Sequence, residues 1–89
     1  MSGKAWILFD GRAESGDIDA AIVLEFAGTS KRQIKRSLQF WLGFDGVLVE
    51  YDADPSGNLS HRHIIGHLRE GIDSLLQKCS PDNQKPSQP

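Results

Sequence analysis

The sequence predicts an α+β fold: a four-stranded, mainly antiparallel sheet with two helices packed on one face, in β-β-α-β-β-α order. Three observations lead there. Short apolar runs rich in branched and aromatic residues alternate with Gly, Asp and Pro turn signals. Two other segments carry apolar residues at helical spacing. The chain has 89 residues, which leaves room for a single hydrophobic core. Stacking both helices over one sheet is the simplest way to bury both apolar stripes at once.

Trp6-Ile7-Leu8-Phe9 is a continuous apolar run closed by Asp10-Gly11, short enough to be a buried strand. Ala20 to Phe26 follows a polar stretch with a Gly16-Asp17 turn, and strict alternation places Ile22, Leu24 and Phe26 on one face of a second strand, hairpin-paired to the first. Ser30-Lys31-Arg32-Gln33 has the form of a capping box, in which the serine hydroxyl accepts from the Gln33 amide and Gln33 reaches back. A helix therefore starts there. Ile34, Leu38, Trp41 and Leu42 form its apolar stripe, and Gly43 ends it.

Val47 to Tyr51 is the third strand, stopped by Asp52, Asp54-Pro55 and Ser56-Gly57-Asn58. Leu59 to Ile65 is the fourth, paired to it across that turn. From His67 to Lys78, the residues Leu68, Ile72, Leu75 and Leu76 define a second amphipathic helix that continues through Gly71. The domain is expected to span residues 1–79. Residues 80–89 read as a disordered polar tail holding three of the four prolines. Both hairpin loops contain Ser-Gly, at Ser15-Gly16 and Ser56-Gly57, an echo too faint to require an internal duplication.

Composition narrows the function classes. One cysteine, Cys79, cannot form an internal disulfide, so a reduced, cytoplasmic setting is expected. Its place on the apolar stripe at a helix end fits packing better than nucleophilic chemistry. No run approaches the roughly 20 apolar residues of a membrane helix, so no membrane association is expected. Hydrophobic residues make up 38% of the chain, enough for a core, yet a core this small is commonly reinforced by self-association. The net charge of −2 conceals one basic concentration: Lys31, Arg32, Lys35 and Arg36, stacked in pairs one helical turn apart. Such a stripe suits a nucleic acid or an acidic protein partner, although a predominantly acidic chain is unusual for the former.

Two other clusters bear on chemistry. His61 and His63 share a strand face, where two imidazoles can hold zinc or nickel, with Asp52 or Asp54 as a further ligand. Against a metal site stands the lack of a complete ligand set, and solvent-facing histidines are the simpler reading. Asp10, Glu14, Asp17, Asp19, Asp52 and Asp54 load the hairpin loops with carboxylates, but Asp is an ordinary turn residue and no calcium-loop pattern is present.

The remaining feature is the sheet face away from the helices. Alternation assigns it Trp6, Leu8, Val23 and either Leu48 or Val49, which is greasy for a face turned to water. The reading that follows is a small non-enzymatic accessory or regulatory protein of inhibitor or adaptor type. It binds a protein partner, or itself as a homodimer, through that face and a sheet edge, and uses no cofactor. A nucleic-acid-binding module using the basic stripe is the alternative. A metal-dependent enzyme built on His61, His63 and Asp52 is the third.

Overall fold

The computed structural model describes residues 3–11 and 21–80. The Gly16-Asp17 turn, the first-loop carboxylates Glu14, Asp17 and Asp19, the Ser15-Gly16 half of the sequence echo and tail residues 81–89 lie outside the described residues. The element order is β1 (Gly3–Asp10), β2 (Val23–Gly28), α1 (Lys31–Phe40), β3 (Gly46–Ala53), β4 (Leu59–His67) and α2 (Ile72–Lys78). A 3₁₀ turn, Leu68–Glu70, precedes α2. The fold is α+β, with one antiparallel sheet in the order β2-β1-β3-β4. β2 and β4 are its two edges.

Both helices pack on the same face. Trp6 and Leu8 of β1, Leu48 of β3 and Ile65 of β4 meet Ile34 and Leu38 of α1 there. Leu68, Leu75 and Cys79 close the other half of this core. The phase expected for β1 is therefore corrected. Trp6 and Leu8 are fully buried beneath the helices, and the reverse face takes Ile7 and Phe9 instead. The reason is physical: a continuous apolar run has no alternation, so it carries no information about which face turns inward. The register resolves it, setting Trp6 opposite Glu50, Leu8 opposite Leu48, Ile7 opposite Val49 and Phe9 opposite Val47.

The reverse face is apolar but not openly greasy. Phe9, Val47 and Val49 form a second buried cluster, with Ile7, Ala21 and Tyr51 packed against it. Exposed apolar side chains lie instead towards the outer strands, at Val23 and Phe26 of β2 and at Leu59 and Ile64 of β4. Val23 pairs with Phe9 and so lies on this reverse face. The expected common face for Ile22, Leu24 and Phe26 does not form. Two register shifts between β1 and β2 turn Leu24 to the main core and leave Phe26 opposite Ile7. Each bulge reverses the side-chain phase of one strand relative to the other.

α1 starts where the capping pattern places it. Ser30 Oγ accepts from the Gln33 amide at 3.3 Å, while Gln33 Oε1 reaches back one residue further than the standard box, accepting from the Thr29 amide at 2.8 Å. The helix stops at Phe40, before the expected Gly43, and Leu42 turns out to solvent rather than continuing the stripe. Gly28 permits the tight entry. Its φ is 129°, and a Cβ there would lie 2.5 Å from Gln33 Cβ. Gly28→Ala is therefore expected to cost about 1–3 kcal/mol in urea unfolding. Gly43→Ala, which meets nothing within 4 Å, should stay within about 0.5 kcal/mol of wild type.

The second helix differs from its expected span. β4 runs on to His67, Leu68–Glu70 forms the 3₁₀ turn, and α2 begins only at Ile72. The break falls at Gly71, whose φ of 101° no continuous helix contains. Leu68 is thereby delivered to the core as part of the turn rather than the helix. Ser80, expected to open the loose tail, is instead anchored: its amide and hydroxyl both donate to Glu50, at 2.9 and 2.7 Å.

Candidate docking groove along the sheet edge

An open part of the surface that is both apolar and charged lies where α1 runs beside β2. On the far side of β2 no strand follows, so Val23–Gly28 forms a free edge among the described residues. Such an edge presents unpaired backbone N–H and C=O groups and is a template for another strand unless the sequence guards it. β4, the opposite edge, is guarded by the exposed run His61, Arg62 and His63. β2, with the sequence VLEFAG, has no cationic or proline guard. Its one charge, Glu25, is turned towards α1: Ser37 Oγ donates to Glu25 Oε2 at 3.0 Å, and the Trp41 indole N–H donates to Oε1.

Two depressions run along this edge. One, of about 240 Å³, lies among Phe26, Gly28, Gln33 and Arg36. The other, of about 350 Å³, lies among Glu25, Arg36, Ser37 and Phe40. They share Glu25, Arg36 and Ser37, and so make one groove floored by the helix. Ser37 fixes how closely α1 approaches: its single hydroxyl proton is shared between Glu25 and the Ala27 carbonyl, the latter at 3.3 Å. At the far end Phe40 is 75% exposed and stands edge-on to Trp41, which in turn stands edge-on to Phe44.

The basic stripe divides between two surfaces. Arg36 lines the β2 groove, whereas Lys35 lines a second, open groove between α1 and α2 that also carries Glu70 and Asp73. Successive residues on a helix point about 100° apart, so neighbours in sequence need not share a surface. Arg32, one turn before Arg36, is exposed on the same stripe, and Lys31 is half-buried at the helix start. No ion pair joins Arg32, Lys35 or Arg36 to a carboxylate among the described residues.

The histidines do not assemble. No group of three potential ligands exists among the described residues. His61 adopts a positive φ of 54°, which breaks the simple alternation that would align it with His63. Its Nδ1 faces Asp52 Oδ2 at 3.0 Å, and Asp52 is in turn bound by Lys4 at 2.5 Å. The hydrogen bond from Lys4 holds the Asp52 carboxyl below the usual carboxylate range and raises the Lys4 ammonium in return. Asp52 is thus engaged by Lys4 and His61, and no third potential ligand joins it and His61 among the described residues.

Sequence reasoning missed Glu50, the buried polar group that matters most. It is 5% exposed and, besides Ser80, accepts from the Trp6 indole N–H at 3.0 Å. Burial pushes its carboxyl up. The Ser80 amide and hydroxyl, the indole and the Lys4 charge outweigh this and leave it below its ordinary value. A lone acid inside the run Val47–Tyr51, two residues from core-facing Leu48, was the available signal. Its role is to bind the end of α2 to the sheet. Comparison of the chain with protein families, with curated proteins and with solved structures finds no match.

Proposed function

We propose that this is a small non-enzymatic binding protein that takes an extended segment of a partner protein as a fifth strand along β2, in the manner of an inhibitor or adaptor. The observation that supports this most is the free, unguarded β2 edge with a helix-floored groove beside it. Strand addition uses main-chain hydrogen bonds for affinity and side-chain pockets for selectivity. Both parts have a counterpart here. Val23 and Phe26, each 55% exposed, flank the edge on the reverse face, and Phe40 flanks it on the helix face. Alternate side chains of an added strand would meet one or the other.

The same proposal includes a cytoplasmic setting, supported by Cys79 standing as a buried free thiol. No helix among the described residues is long and apolar enough to cross a membrane. The division of the basic stripe between two grooves favours protein over nucleic acid, because a phosphate backbone is best tracked by cations on one continuous surface.

The test is a random peptide display screen on the purified protein, followed by synthesis of the enriched peptides with alternate backbone amides N-methylated. An added strand needs those N–H groups, so methylation is expected to weaken binding at least about tenfold. Enriched peptides that bind equally well when methylated, or a screen that enriches none, would overturn the proposal.

A further inference from the structure

We infer that the segment recognised at β2 is acidic, with a carboxylate side chain engaging Arg36 next to an apolar residue that packs on Phe40. This inference rests on the strand-addition reading and adds the chemistry of the ligand to it. The argument is one of charge complementarity within the groove. Of its two charged groups, Glu25 already has both oxygens engaged, one by Ser37 and one by the Trp41 indole. Arg36 has no carboxylate partner among the described residues and is exposed. Arg36 lines both depressions, so a strand lying anywhere along the groove passes it.

Guanidinium presents a planar fork of donors that matches a carboxylate in two parallel hydrogen bonds. Arg32 stands one turn earlier on the same exposed stripe and extends the positive field along the groove. A neutral segment would leave Arg36 partly desolvated and uncompensated, and a basic one would be repelled. Position on the helix points the same way. Arg36 lies beyond the first turn of α1, whereas Arg32 sits in that turn, which contains no acidic residue. Cations there are opposed by the helix dipole, a cost that an incoming carboxylate relieves.

A second copy of this chain is the less suitable occupant. Pairing β2 with β2 about a two-fold axis would bring two α1 helices, each carrying exposed Arg32 and Arg36, towards one another across the new sheet. Isologous contact makes like charge face like charge. A phosphodiester strand would satisfy Arg36 but cannot offer the alternating donors and acceptors that the β2 backbone needs.

The experiment is a parallel peptide display screen on wild type and on Arg36→Glu, an exposed position, with equal melting temperatures as the folding control. Wild type is expected to enrich peptides with Asp or Glu beside an aromatic or aliphatic residue. Arg36→Glu should bind those peptides at least about tenfold more weakly and enrich Lys or Arg at the same positions. Raised salt should narrow the difference. Enriched peptides that are sensitive to N-methylation but carry no acidic bias, or the same bias in both screens, would overturn the acidic inference and leave strand addition standing. Peptides insensitive to N-methylation would overturn both. Two further results would replace the occupant: a concentration-dependent dimer whose β2 amides are protected, or tight binding of a single-stranded oligonucleotide lost in Arg36→Glu.

Discussion

Trp6→Ala is expected to remove most of the protein's stability at room temperature. Trp6 of β1 is completely buried beneath the helices, and removing an indole from such a site costs about 3–5 kcal/mol. The substitution also removes the donor that Glu50 accepts from, leaving a buried carboxylate with fewer partners and adding about 1–3 kcal/mol. A domain of this length has only roughly 5–10 kcal/mol in total. Trp6→Phe separates the two contributions, since it keeps most of the volume and loses the N–H. It should destabilise by about 1–2 kcal/mol in chemical denaturation. If Trp6→Ala melted within a few degrees of wild type, the placement of Trp6 beneath the helices would be wrong. That placement is also what corrects the expectation of Trp6 and Leu8 as contact residues.

Glu50→Gln should cost about 1–3 kcal/mol at neutral pH, and the cost should depend on pH in one direction. The amide retains bulk and one acceptor oxygen, but its NH₂ opposes donors from Ser80, Trp6 or Lys4. The carboxyl of Glu50 is held below its ordinary value in the folded state. A group depressed by folding contributes its full stability above the unfolded value and loses it as pH falls through the folded value. The gap between wild type and Glu50→Gln is therefore expected to be widest near neutrality and to narrow below about pH 4. Asp52, Asp54 and Glu70 are also held low and add their own acid sensitivity to both proteins. Only the difference between the two curves reports on Glu50. A gap that widens in acid would mean that burial, not the ring of donors, dominates.

The β-β-α-β-β-α order and the one-sided helices were legible because they rest on signals that do not depend on phase: turn residues, apolar clusters and a serine cap. What failed depends on parity. Trp6 to Phe9 and Val47 to Val49 are apolar at every position, because the centre of the sheet is buried on both faces. Alternation was therefore absent where it was needed most. β2 carries a single polar residue, Glu25, its two bulges reverse the phase partway along, and a bulge leaves no mark in a sequence such as VLEFAG. The helical period across Leu68 to Leu76 was real, yet Gly71 at φ 101° let a 3₁₀ turn and a shorter helix share it.

The candidate site was half legible for a related reason. Arg36 stood out as part of a charge cluster, and an exposed edge strand was anticipated in general terms. Which edge, and which member of the cluster faces it, are three-dimensional facts. Edge identity follows from the order β2-β1-β3-β4, set by the pairing of β1 with both β2 and β3. The separation of Arg36 from Lys35 follows from the docking of α1 through Ser37, whose hydroxyl reaches Glu25 and Ala27. A serine within a helix gives no hint in sequence that it meets a strand edge.

Residue-resolved amide hydrogen exchange, with and without a peptide enriched on the protein, tests the docking edge most directly. The strand-addition account predicts slowed exchange concentrated at outward-facing amides of Val23–Gly28, with the β4 edge, Leu59–His67, unchanged. Protection appearing along β4 or between the two helices, while β2 exchanges as before, would contradict it.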